Sequence, residues 1–464
     1  LRMVRGFVLL LAYVALLDYS QAIENFDQTL ELKPEAEVKI SALNQRGLAL
    51  LEQRQFAKAV SDFNQVISLS PTQASAYCQR GRARASQRDY VRVVEDFSEA
   101  LKLEPQAAQT LYWRGQAYAA QGQFEPALQD YSEAIRLDDR QASYYYARGV
   151  ALAAQQKQVE AIEDFNQALE LDPGDAHTFN QRGLAYAILQ EFELAQADYN
   201  QAIRLAPQVA VFYFNRANLF ADYPSQKYAR AIEDYNQAIK LDEQQAPYFY
   251  RRGLAYFMQQ DDQPAIADFS RAISLDNRLV AAFKQRGLAY TRQNEPLKAI
   301  EDYNRAIKLL PDDGAIFFER GLIYSQQGNY ARAIDDFNQA VKLMPNNAEF
   351  YSQRGLAHTQ LSNYPQAIED YSQTIKLDIK NGPAYLNRAQ AYLAQENYER
   401  AINDFNEAIR LSPDQAAAFT RRGQAHLGLG QLDQAIADFE RAIELNPQAD
   451  QPFAGRGQTY LQQA

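Results

Sequence analysis

A chain of 464 residues, 47% hydrophobic and 12% aromatic, has too much apolar content to be disordered and is too long for one ordinary core. Its net charge of −11 leaves it without the basic footprint that nucleic acid or an anionic membrane surface requires. One cysteine, Cys78, excludes an internal disulfide framework, and His177, His358 and His426 lie too far apart for metal-ligand spacing.

The chain opens on an apolar stretch, residues 7–17, behind Arg2 and Arg5. It is shorter than the ~20 residues that cross a bilayer. Leu10 to Tyr13 fall in register with later segments, so residues 1–39 read as an atypical first repeat with an apolar helix. The alternative is a secretory h-region behind a positive n-region. The first reading implies a cytoplasmic chain; the second implies export or membrane tethering, with residues 1–17 as a signal remnant.

From there an arginine followed by a small residue recurs at Gly47, Gly81, Gly115, Gly149, Gly183, Ala217, Gly253, Gly287, Gly321, Gly355, Ala389, Gly423 and Gly457. The step is 34 residues throughout, except for 36 between Ala217 and Gly253. A fixed period of this length marks a repeat architecture. Twelve repeats are expected, at 40–73, 74–107, 108–141, 142–175, 176–209, 210–245, 246–279, 280–313, 314–347, 348–381, 382–415 and 416–449. Residues 450–464 form a terminal half repeat; its unpartnered first helix and the initial Leu1 suggest a piece of a longer chain.

Each repeat predicts two amphipathic helices. Twelve residues after most of the small positions, and fourteen after Ala217, stands an alanine, with Val93 the one departure, and four further on an aromatic, from Phe63 to Phe439. Ala299, Ile300, Tyr303, Ala306 and Ile307 show helical rather than alternating spacing. A proline closes many repeats, Pro311 among them. Glycine within a helix costs about 1 kcal/mol relative to alanine, so its recurrence predicts close approach of the paired helix. Phe283, Phe317, Tyr351 and Tyr385 are expected to fill the space between successive repeats. An arginine before the small residue and an aspartate before the second-helix aromatic predict an Arg–Asp ladder, such as Arg286 with Asp302, of the weak kind that exposed ion pairs make.

These residues resemble the tetratricopeptide repeat family along essentially the whole chain; Gln285–Pro311 looks like its consensus. The arginine-before-glycine variant resembles the long, many-repeat members common in bacteria. The resemblance implies an all-α fold: a right-handed superhelical α-solenoid of antiparallel helix pairs, its first helices lining a concave groove. It also implies a protein–protein interaction scaffold that binds peptide segments of partner proteins. The lysine-and-asparagine clamp by which some members hold chaperone tails is not matched: Lys284 is followed by Leu288 and Glu319.

Two residues before the small position most repeats carry a carboxamide: Gln45, Gln79, Gln181, Asn215, Gln285, Gln353 and Asn387. An amide donates and accepts at once, so the row suits an extended peptide backbone; Trp113, Ala147, Arg251, Glu319 and Arg421 interrupt it. One position earlier stand Tyr112, Tyr146, Phe214, Tyr250 and Phe318, candidate aromatic anchors with Trp113 at one end. The longer turn over Asp222–Tyr228 is a further candidate contact. No phosphate loop, nucleophile motif or cofactor motif is present, and the acidic pairs follow the repeat period, so an enzyme is not expected. The alternative is the substrate-docking arm of a larger enzyme, such as a glycosyltransferase bearing such repeats. The same readings leave other proteins or peptides as partners.

Overall fold

The computed structural model describes residues 18–223 and 226–464. Among them are 26 α-helices, from Tyr19–Glu31 to Asp450–Gln463, and no strand. Residues 1–17, on which the choice between signal and helix falls, lie outside the described residues, as do Pro224 and Ser225 of the lengthened turn. The chain divides into two compact units, Leu1–Asp242 and Glu243–Ala464. Each is an α-solenoid of helix pairs. In the first unit Ala142–Ala154 packs on Gln158–Leu171, and in the second Gly314–Gln326 packs on Tyr330–Leu343.

Local chemistry sets the helix ends. After each first helix one residue turns left-handed; at Gln156 φ is 64°, and the amides of Gln156 and Lys157 bond back to the carbonyls of Ala153 and Leu152. This closing motif satisfies carbonyls that the helix leaves open. The second helix then ends two residues before proline in several repeats: Pro296–Leu309 stops ahead of Pro311, and Tyr330–Leu343 ahead of Pro345. Phe124–Leu137 ends at the same register with Asp139 in the proline position, so proline reinforces the stop without being required for it.

The core of every repeat is a ring over a gap. Phe165, Tyr199, Phe269, Tyr303 and Phe337 are essentially inaccessible, as are the alanines four residues before them. A Cβ at Gly149 would stand 2.7 Å from Cε1 of Phe165 and 3.2 Å from the carbonyl oxygen of Ala161. The glycine therefore clears space first for the ring of its own second helix and only then for that helix's backbone. This refines the expectation of direct helix approach.

The Arg–Asp ladder is present and is more enclosed than expected. Arg286 donates from Nε and Nη2 to the two carboxylate oxygens of Asp302, at 2.9 and 2.7 Å. Equivalent pairs run from Arg46–Asp62 to Arg422–Asp438, and Arg216–Asp234 keeps the pairing across the two-residue insertion. The Asp302 side chain is only 5% exposed. Dehydration, rather than surface screening, governs such a pair. Burial pushes the carboxyls of Asp96, Asp268, Asp302 and Asp370 up, against the pull of their arginines. Burial opposes the charge of Arg286 too, but the bond and charge of Asp302 outweigh it and hold the guanidinium protonated.

The third arm of each arginine reaches the preceding repeat. Nη1 of Arg286 donates to Ser270 at 2.9 Å, that of Arg182 to Asn166 at 2.7 Å, and that of Arg388 to Ser372 at 2.9 Å. The same guanidiniums lie over the aromatics expected between repeats: Arg286 is 5.8 Å from the ring centre of Phe283, Arg354 5.5 Å from Tyr351 and Arg388 5.7 Å from Tyr385. One side chain thus ties three helices and caps an aromatic face.

Candidate functional site

The register that fixes these core residues leaves the positions two and three before the small residue on the first helices. In the first unit, Tyr112 rests on Tyr131 at 6.0 Å and on Tyr144 at 4.9 Å between ring centres, and Gln116 donates to its hydroxyl at 2.8 Å. Tyr146 lies 6.2 Å from Phe165, and Phe214 5.9 Å from Tyr235. Burial pushes the hydroxyls of Tyr112 and Tyr146 up; the side chain of Gln181, near the Tyr146 hydroxyl, pulls the other way. Asn215 Nδ2 donates to Asn180 Oδ1 of the preceding repeat at 2.9 Å. Trp113 reaches back instead, stacking on Phe97 at 6.0 Å with the Arg82 guanidinium 5.2 Å from its ring centre.

In the second unit, Tyr250 lies 6.0 Å from Phe269 and stays half-buried. Phe318 is buried, stacked on Phe350 at 4.4 Å and against Phe337 at 5.7 Å. Gln285, Gln353 and Asn387 are half-exposed. Beside them Lys284 pairs with Asp313 at 2.8 Å. The half-buried carboxyl of Glu319 is pushed up by burial and by Glu349, with Lys284 pulling it down.

Each aromatic at the candidate position therefore sits as a wedge on the core ring of its own repeat, half-buried except at Phe318, which is buried. A residue singled out by no motif, Arg82, joins Trp113. The signal that finds it is positional, because Leu48, Leu184, Leu254, Leu288, Leu322 and Leu356 occupy the same place in other repeats. Among the described residues no group of three His, Cys, Asp or Glu side chains is placed to hold a metal ion. Among them, too, no helix is long and apolar enough to cross a membrane.

Models of the tetratricopeptide repeat match residues 7–74, 44–108, 352–416 and 386–450, 142–175 and 280–313, 176–209 and 248–276. A model described as TPR repeat matches 115–156, 221–260 and 321–362. Together these span most of the sequence, and the chain belongs to the tetratricopeptide repeat family. Its fold is built from many such repeats. Similar solved structures include YrrB, a TPR protein with an unusual peptide-binding site (21% identity, 40% of this chain and 96% of that one, TM-score 0.38). The Cut9–Hcn1 hetero-tetramer of the APC/C is similar at 14% identity over 97% of this chain and 95% of that one, with a TM-score of 0.40. Yeast Tom70 is similar at 18% identity over 86% and 97%, with a TM-score of 0.37. No curated protein matches the chain.

Proposed function

We propose that this chain is a scaffold that holds extended segments of partner proteins along its first helices. The observation that carries this reading is a division of labour within the repeat. The arginine, aspartate, glycine and core ring are consumed by packing. Gln285, Gln353 and Asn387, at one register of their helices, are half-buried and outside that ladder. Such amides grip a peptide backbone without reading its side chains, and the half-buried rings of Tyr112, Tyr146, Phe214 and Tyr250 supply anchors of the kind that dominate interfaces. Trp113, Gln181 and Asn215 stand at the same register within the first unit, and Phe318 stands beside Glu319 within the second.

The test is affinity capture from native lysate with the intact chain beside a Gln285→Ala, Gln353→Ala, Asn387→Ala variant, both checked for helicity and melting temperature. The folded variant is expected to lose the specific proteins that the parent retains. Equal retention by both moves binding to another surface.

A further inference from the structure

A cleft opens between the first helices Ala74–Ser86 and Ala108–Ala120, floored by Val93 and Phe97 of the second helix Tyr90–Leu103. Its volume is about 360 Å³, within the range of sites that enclose small ligands. Arg82, Trp113 and Gln116 stand among its lining residues. Three of these residues break the repeat pattern. Arg82 is the one charged residue at a position where six repeats carry leucine, Trp113 interrupts the carboxamide row, and Val93 is the one departure from alanine. They come from three helices and meet at one place.

Packing does not account for Arg82. The ladder arginine of this repeat is Arg80, which holds Asp96 at 2.6 Å, and Arg84 binds the other carboxylate oxygen of Asp96 at 2.8 Å. Arg82 donates to the neutral Gln79 at 2.7 Å and lies over Trp113. Nearby Asp89 is paired with Arg92 at 3.2 Å. The helix Ala74–Ser86 contains three arginines and no acidic residue, within a chain of net charge −11. A guanidinium at the mouth of an apolar cleft favours an anion beside an apolar group and repels a cation.

Building on the scaffold reading, we propose that this cleft receives an apolar side chain carried on an acidic segment of a partner protein. The apolar group enters against Val93, Phe97 and the Trp113 ring. A flanking carboxylate meets Arg82, and Gln116 is placed to bond the backbone.

Trp113 is the only tryptophan in the chain, so its emission reports on this cleft alone. The intact chain is titrated with a tryptophan-free peptide in which leucine and phenylalanine are flanked by two glutamates on each side. Its lysine counterpart and a single-stranded oligonucleotide are run beside it. Trp113 emission gives local binding, and anisotropy of fluorescein-labelled peptide gives binding anywhere on the chain. The acidic peptide is expected to shift Trp113 emission and to bind at least tenfold more tightly than the lysine form. Arg82→Gln is expected to weaken it about tenfold, and added salt to weaken it further. Arg82→Leu places the leucine that six repeats carry at this position, so it retains the fold and is expected to lose the peptide as well. A rise in anisotropy with silent Trp113, or binding by both Arg82 variants as tight as the parent's, overturns the cleft and leaves the scaffold standing. No binding of any peptide by either readout counts against both. An oligonucleotide that binds as tightly as the acidic peptide overturns the proposal in favour of nucleic acid.

Discussion

Arg286 and Asp302 meet through two parallel hydrogen bonds, at 2.9 and 2.7 Å, while the third arm of the same guanidinium holds Ser270 of the preceding repeat at 2.9 Å. An ammonium group has the charge but not the fork. Arg286→Lys is therefore expected to lose about 1–3 kcal/mol, close to the loss from Arg286→Gln. Urea denaturation followed by circular dichroism measures both. An unchanged midpoint for the lysine variant would show that charge alone suffices.

Acid should loosen the repeat around His358. Its Nδ1 is buried without a hydrogen-bond partner, and burial lowers the pKa of the ring below its ordinary value of 6.5. The folded chain thus binds this proton less readily than the unfolded chain. The stability that the neutral ring contributes is present above pH about 6.5 and is lost as pH falls through the folded value. Asp370, beside it, has its carboxyl raised by burial, so its effect has the opposite sign and lies lower in pH. Tyr118, Tyr186 and Tyr290 occupy the His358 position in other repeats. His358→Tyr is expected to flatten the fall in melting temperature between pH 7 and 5, and an unaltered slope would exclude His358 as its source.

The candidate binding residues should separate by stability. Phe318 is 6% exposed, and truncating a buried phenylalanine costs about 3–5 kcal/mol. Gln285→Ala and Gln353→Ala, at half-exposed positions, should stay within about 0.5 kcal/mol of the parent. Thermal melts of the three single variants decide this. A large loss in either glutamine variant would give that amide a structural role.

The turns offer stabilising changes. Gly122, Gly328 and Gly430 take φ near +73° after their first helices, whereas Gln156 and Glu396 hold φ of 64° and 59° at the same place. A side chain in this conformation costs roughly 1–2 kcal/mol. Glu396→Gly and Gln156→Gly are each expected to raise stability by up to about 1 kcal/mol, less the extra freedom glycine gains on unfolding. Melting temperatures that fall in both variants would contradict the turn account.

Spacing along the chain disclosed what depends on spacing. Arginine sixteen residues before aspartate, and glycine sixteen before a ring, are facts of register, and register survives folding. It could not disclose how deep Asp302 lies, because neighbouring helices supply the enclosure. Nor could it show that the ring of Phe165, ahead of the facing backbone, comes closest to Gly149. Phe318 and Tyr250 share one position in the repeat, yet only Phe318 is buried, with Phe350 of the following repeat stacked on it. The cleft at Trp113 was hidden for the same reason, since Arg82, Val93 and Trp113 belong to three different helices.

The backward reach of each arginine also decides where such a chain can be cut. Arg148 binds Asp164 of its own second helix and Ser132 of the one before. The smallest piece that keeps every bond of Arg148 is therefore three helices long: Phe124–Leu137, Ala142–Ala154 and Gln158–Leu171. A fragment begun at Ala142 severs the bond to Ser132, whereas one begun ahead of Phe124 retains it. A start at Phe124, however, parts Asp130 from both bonds of Arg114, so a module begun on a first helix loses the fewer contacts.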